Sequence, residues 1–301
     1  MIINPYIFAA AVPYVYIVDV YSPPIAYSLR KLSTSSTNAI RVRRSSDNTE
    51  QDIGFTGDEL DTTSLASFVG ANDGAVVTWY NQGTSGATYD ASQTTATSQP
   101  LIVDGGTLMV DALGNLTLDF QELTVYKLLV FGSGAMYNNK SYGAGIAVYE
   151  NDSSSRRDIW TWSTPTANVS RFTSTDSFTT ALRHELRTRR LDGDSISSLV
   201  DTVNFPTGVK LRTDIMDWAN ADAFIRRDGV QVASSTSHGT AGSTSATDSK
   251  VTMGTANTSG IGRASTGIPT RYISEVIFFN TDVSSSISDI ETDINTYYGI
   301  Y

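Results

Sequence analysis

The sequence predicts an all-β sandwich with short helices, preceded by an extended N-terminal arm, and three observations carry that prediction. Short alternating or apolar runs return at a spacing of about ten residues, each closed by turn formers, as sandwich strands do. Residues 100–103, 107–111 and 115–120 are three such runs, split by Gly105-Gly106 and Gly114-Asn115. Hydrophobic residues fill 40% of the 301 positions and charged residues 17%, which suits one large core and argues against long disordered tails. Tyrosine, at 15 copies, is the commonest aromatic, and the polar remainder is rich in Ser, Thr, Asn and Gly, which favours half-buried strands joined by many turns.

Residues 1–18 carry no charged side chain. A secretory signal would need a positive first segment, and Pro5 and Pro13 do not suit one. Asn4, Pro5 and Pro13 would also break a membrane-spanning helix. Two readings of this segment stay open. Residues 1–25 are an arm that packs into neighbouring subunits through Ile2, Ile3, Pro5, Tyr6, Phe8, Tyr14 and Tyr16, or they are the first strands of the domain's own core. An exposed apolar segment of that size needs a partner either way. Pro23-Pro24 is a natural hinge, and residues 26–301 are expected to form the sandwich.

Ile40 and Val42 alternate with Arg41 and Arg43, the period of a half-buried strand. Residues 45–48 are a turn cluster, and residues 49–55 return as a second strand that sets Glu50 and Asp52 opposite the arginines. Asp61 is placed to cap a short helix with Leu65, Phe68 and Val69 as its apolar stripe and Gly70 as its stop. Residues 74–80 form a largely apolar strand, and Asn81-Gln82-Gly83-Thr84-Ser85-Gly86 is the loop after it. Further strands are expected over 125–131, 144–150, 158–163 around Trp160 and Trp162, and 182–191 with Asp192-Gly193 as its turn. Residues 209–218 and 223–232 make another pair, with Asp228-Gly229 as a tight hairpin. Residues 271–280 are the last strand. A helix with Ile287, Ile290, Ile294 and Tyr297 on one face closes the chain, with a serine near 284 to cap it and Gly299 to end it.

These residues carry a resemblance. The stretch from Ala26 to Gly86 resembles a module found in many bacteriophage virion proteins, and it is similar to the opening of the catalytic domain of family-54 arabinofuranosidases, which are concanavalin-A-like sandwiches. The pair over 209–232 resembles laminin-G and concanavalin-A-like modules. The closing strand and helix, ending Tyr297-Tyr298-Gly299-Ile300, resemble how members of that group end. The resemblance implies a concanavalin-A-like jelly-roll β sandwich on the exterior of a virion, as a head decoration, head fibre or tail-associated protein. It also implies a homo-oligomer, contacts with other virion proteins through the arm, and outward loops that bind host-surface polysaccharide. In the relatives the loop after the 74–80 strand reads Tyr-Asp-Gln-Ser-Gly-Asn, so Asn81 stands where they carry an acid. The nucleophile of the family-54 enzymes is a glutamate in a Glu-Ala-Ile-Tyr segment. Its nearest counterpart here is Ile146-Ala147-Val148-Tyr149, and an isoleucine cannot act as a nucleophile.

The candidate chemistry is sparse. The net charge of −10 opposes nucleic-acid binding, which needs basic surface. With no cysteine and two histidines, zinc sites and disulfides have little to build on. His184-Glu185 lacks the second histidine of a zinc-protease helix and reads as a charged strand face. Asp192-Gly193-Asp194 reads as a turn before it reads as a calcium loop. Paired carboxylates can hydrolyse glycosides, and Asp119, Glu150, Asp152, Asp214, Asp217 and Glu275 are the pool. Because Ile146 stands where the family-54 resemblance places its nucleophile, no catalytic, cofactor or metal residue is assigned and an enzyme is not expected. For glycan contact the candidates are Trp160 and Trp162, which share one strand face, with Asn81 and Gln82 in the loop. The alternatives are a glycoside hydrolase of the arabinofuranosidase type and a stand-alone carbohydrate-binding module.

Overall fold

The computed structural model describes residues 14–120, 127–131, 134–151, 157–163, 170–176, 183–191, 193–204, 207–244, 250–254 and 272–301. Its strands in chain order are β1 (Ile25–Ser28), β2 (Asn38–Arg44), β3 (Glu50–Thr56), β4 (Glu59–Leu60), β5 (Gly74–Trp79), β6 (Ala91–Ser92), β7 (Leu101–Asp104), β8 (Thr107–Leu108), β9 (Leu118–Asp119) and β10 (Leu129–Phe131). They continue as β11 (Tyr142–Asn151), β12 (Arg157–Ser163), β13 (Ser170–Asp176), β14 (Glu185–Thr188), β15 (Ser197–Val200), β16 (Gly208–Asp217), β17 (Asp222–Arg227), β18 (Val230–Ser235), β19 (Lys250–Met253) and β20 (Tyr272–Phe279). Three short helices, α1 (Ile17–Tyr21), α2 (Thr62–Val69) and α3 (Ile287–Tyr298), complete an all-β fold.

Strand β20 is the hub of the first sheet. It pairs with β1, β9 and β11, and the sheet continues from β11 through β16 and β17 to β18. The second sheet runs β15–β14–β13–β12–β19–β10 and reaches β5 through β6. Strands β2 and β7 attach at β5, and β3 pairs with β2. Every pairing among the described residues is antiparallel, and β15 lies beside β17 and β18, so the two sheets nearly close on one another.

Alternation along the strands sorts two cores. Between the sheets lie Trp160, Trp162, Phe172, Leu186, Trp218 and Phe278, with Trp79 and Tyr27 towards β5. On the far side of the first sheet, Ala144, Ile146, Val148, Leu211 and Ile277 pack under α1 and α3. Strand β11 serves both layers. Its glycines leave room for rings on the inner side: a Cβ on Gly145 would lie 2.6 Å from Trp160, and one on Gly143 2.8 Å from Trp218.

Local expectations hold where a backbone requirement is written in the residues. The Asp61 carboxylate accepts from the Ser64 backbone N–H at 2.9 Å and the helix stops at Gly70. Asp228 and Gly229 both take positive φ, 49° and 77°, as a tight hairpin with right-handed strands demands. Helix α3 buries Ile287, Ile290 and Ile294 and ends on left-handed Gly299. Its N-cap position is Ser286, which makes no capping bond, while Ser284 bonds to Asp282.

Of the two readings of residues 1–25, the described part bears on its last twelve residues. Residues 14–25 belong to the body: α1 buries Ile17 and Val18 under the first sheet, the Tyr14 hydroxyl donates to the Lys31 carbonyl at 2.6 Å and the Tyr16 hydroxyl to Asp58 at 2.6 Å. Ile25 starts β1 and is fully buried. Tyr14 and Tyr16 are therefore packed on the body through the polar tips of their rings. Ile2, Ile3, Pro5, Tyr6 and Phe8 lie outside the described residues, as does Asp192 of the expected 192–193 turn.

Candidate functional site

The second sheet turns one face to the core, and its other face carries a row of polar side chains. The register sets Thr252, Thr161, Thr173, Arg187 and Ser198 side by side across β19, β12, β13, β14 and β15. The neighbouring row is Asp158, Thr175, Glu185 and Val200. A bulge between Asp158 and Trp160 lets Ile159 and Trp160 both enter the core while Asp158 stays beside Thr175.

This face is buried and polar at once. The Thr175 hydroxyl donates to Asp158 at 2.6 Å. Arg187 donates to Glu185 at 2.8 Å as an ion pair, and the Ser198 hydroxyl donates to the same Glu185 oxygen. Burial is the main cause that pushes the Asp158 carboxyl up to about 6. The neighbouring Glu185 charge adds to the rise, and the Thr175 hydroxyl and Arg187 oppose it. Thr161 and Thr173, 2% and 3% exposed, carry hydroxyls that make no hydrogen bond. A buried hydroxyl without a partner is costly, so two adjacent ones call for an explanation.

Behind that face, between the sheets, sits a polar brace. Arg212 on β16 binds Asp214 at 3.0 Å and reaches across to the backbone carbonyls of Thr175 at 2.7 Å and Glu185 at 2.9 Å. It thereby sets the spacing of the strands that present Asp158 and Glu185. His184 meets the Tyr149 hydroxyl at 2.8 Å; burial first, then the charges of Arg212, Arg227 and Lys210, hold it neutral. His184-Glu185 is thus not a charged outer strand face: the pair straddles the sheet, with histidine inward and glutamate outward.

The residues expected to meet a glycan fare differently. Trp160 and Trp162 do share one strand face, but that face is the core. Both are 0% exposed, set edge-on to Phe278 at 5.2 and 5.4 Å, so neither ring is available to stack on a sugar. The reason is that a strand of a sandwich turns its most apolar face inward. Gln82 is a buried clamp: it accepts from the Leu32 N–H at 2.7 Å and donates to the carbonyls of Ser28 and Arg30 at 3.0 and 2.9 Å. Asn81 holds the loop to Pro24, Ala26, Gly83 and Gly86. It also lines an open cleft of about 310 Å³ with Ser36, Asn38, Tyr80 and Asp90.

The carboxylate pool scatters. Glu275 is buried against Arg30, with bonds of 2.8 and 3.0 Å. Asp214 belongs to the brace, Asp217 holds Asn220, and Glu150 accepts from the Ala112 N–H. Asp152 lies outside the described residues. Ile146 is core under α3. Asp158 was absent from that pool, because a lone acid beside Ile159 and Trp160 reads as a strand start. Among the described residues no group of three or more His, Asp or Glu side chains could hold a metal ion, and no helix is long and apolar enough to cross a membrane.

No family model matches the chain, and no curated protein matches it in sequence. Solved structures do match in fold. An arabinofuranosidase complexed with arabinofuranosyl-α-1,2-xylobiose superposes with a TM-score of 0.54 at 14% identity, over 92% of this chain and 63% of the other. A family-54 α-L-arabinofuranosidase soaked with a cyclic sulfate inhibitor gives 0.51 at 14% identity, with the same coverage. The chain therefore spans less than two thirds of those proteins. At such identity the likeness establishes a shared sandwich architecture.

Proposed function

We propose that this protein binds glycans on the polar face of its second sheet, and that it does so on the exterior of a virion. The observation that carries the first half is the polar row of the second sheet, which runs from the buried, unpartnered hydroxyls of Thr161 and Thr173 out to the half-buried Arg187 and the exposed Ser198, where a ligand can reach it. Sugar hydroxyls donate and accept at once, and that row offers acceptors, donors and a guanidinium in a fixed grid. The fold shared with arabinofuranosidases supports the choice of ligand class. The virion setting rests on the resemblance of residues 26–86 to the phage module. Calorimetry with host-surface polysaccharides tests the binding: Arg187→Gln should weaken it at least about tenfold, as the loss of one good charged contact does. Unchanged affinity in that variant removes the row as the site. Mass spectrometry of purified particles tests the setting, which requires a fixed copy number per virion.

Hydrolysis is the second reading, favoured by one observation. Asp158, raised to about 6, neighbours Glu185, which is ion-paired to Arg187. A proton-holding acid next to a carboxylate is the division of labour that glycosidases use. In this reading Asp158 gives its proton to the leaving oxygen, Glu185 takes a proton from the water that bonds to the anomeric carbon, and activity falls as pH rises through about 6. Release of arabinose from aryl arabinofuranosides by the isolated protein, lost about a hundredfold or more in Asp158→Asn, would establish it. No release by the wild-type chain sinks it.

A further inference from the structure

The cleft beside Asn81 is built from two turns that close on each other, residues 35–38 and residues 80–90. Its size, about 310 Å³, is at the lower end of ligand pockets, which begin near 300 Å³, and suits one sugar ring rather than a chain. The walls are held from behind. Arg41 grips Asp52 through two bonds of 2.7 and 3.0 Å, and Asp52 accepts from the Tyr80 hydroxyl at 2.7 Å, so the half-buried Tyr80 ring is fixed by its tip. The Asn81 N–H holds one oxygen of Asp90 at 2.9 Å. Asn81 and Gln82 spend their own side chains on backbone groups, so they shape the cleft rather than contact what fills it.

The groups left over are the second Asp90 oxygen, the hydroxyls of Ser36 and Thr37 and the Asn38 amide, none of which bonds another described residue. No lysine or arginine lines the cleft. A phosphate, sulfate or uronic acid would meet a carboxylate there with no cation to offset it. A neutral ring with adjacent hydroxyls meets an acceptor, several donor–acceptor groups and one aromatic face held in advance, the arrangement that costs least to order on binding.

We propose that this cleft is a second site, independent of the second-sheet face, which takes a single neutral monosaccharide unit with Asp90 accepting from vicinal hydroxyls and Tyr80 as the ring platform. The test uses the full chain and saturation-transfer NMR with methyl glycosides of glucose, galactose, mannose and arabinofuranose, and with sialic acid as the anionic control. At least one neutral probe should bind and sialic acid should not. Asp90→Asn keeps the oxygen that accepts from Asn81 and should weaken binding about tenfold. Ser36→Ala with Thr37→Ala, on a half-buried and an exposed side chain that hold nothing, should weaken it several-fold with an unchanged melting temperature. Arg187→Gln should leave it intact. The proposal is overturned if no neutral probe binds, if sialic acid binds equally, or if Asp90→Asn binds as the wild type does. Binding lost in Arg187→Gln but kept in Asp90→Asn assigns the sugar to the other face and equally overturns it.

Discussion

Asp158 is the residue at which burial and charge meet most sharply. Its carboxyl rises from an ordinary 3.8 to about 6 in the folded chain. Folding therefore tightens proton binding, and the side chain costs nothing below pH 3.8, where both states hold the proton. As pH climbs through about 6 the unfolded chain ionises freely while the folded chain must keep a buried charge, and about 3 kcal/mol of stability is lost. Asp158→Asn removes that titration. Urea unfolding at about pH 4.5 and pH 7.5 should show the wild type losing about 2 kcal/mol relative to the variant, since roughly a third of the loss has already occurred by pH 4.5. Parallel curves would mean that the carboxyl is not desolvated. Gln82 makes the complementary point about polar burial. Gln82→Leu keeps the volume but strands one N–H and two carbonyls, so a loss of about 3 kcal/mol and a matching drop in melting temperature are expected.

At the scale of elements, strand β11 shows what one-letter patterns reveal and hide. The apolar run 145–149 announces a buried strand, and it is one. Why it reads Gly-x-Gly at 143–145 becomes clear only against the facing rings: Trp160 and Trp218 lie on the bare backbone where a Cβ would sit. Gly145→Ala should cost about 1–3 kcal/mol by overpacking, seen in chemical unfolding together with a changed near-ultraviolet circular dichroism. The same limit governs the site. Alternation told that Trp160 and Trp162 share a face, and they do. It could not tell core from ligand face, because both faces of this strand are covered: Thr161 opposite them is as buried as they are. Helix α3 repeats the lesson. Its isoleucine stripe was legible, whereas Glu291 on the buried side is intelligible only from its partners, Arg226 at 2.8 Å and the Thr213 hydroxyl at 2.8 Å. Turn chemistry at Asp61 and Asp228-Gly229 was legible because it depends on neighbours in sequence; the Arg212 brace was not, because it joins strands from both sheets.

For the molecule as a whole, the leading segment is where the proposed attachment to a larger assembly can be tested. An arm of residues 1–25 cannot be removed cleanly. Such a cut takes Ile17 and Val18 out of the layer beneath α3, the first residue of β1 out of the sheet, and Asp19 away from Ser33 and Thr34. Two fully buried aliphatic side chains, Ile17 and Ile25, contribute about 2–5 kcal/mol each when deleted from a core, against a total domain stability of about 5–15 kcal/mol. The 26–301 fragment should therefore melt far below the full chain, or aggregate through the apolar face it uncovers. The proposed docking role falls to residues 1–13, which hold Ile2, Ile3, Pro5, Tyr6 and Phe8. A chain that starts at Tyr14 should keep the melting temperature of the full protein to within about 2 °C, yet fail to enter particles in an assembly assay. If it enters particles normally, the leading residues are not the anchor and the virion attachment lies elsewhere on the sandwich. If it melts as low as the 26–301 fragment, residues 1–13 are part of the core.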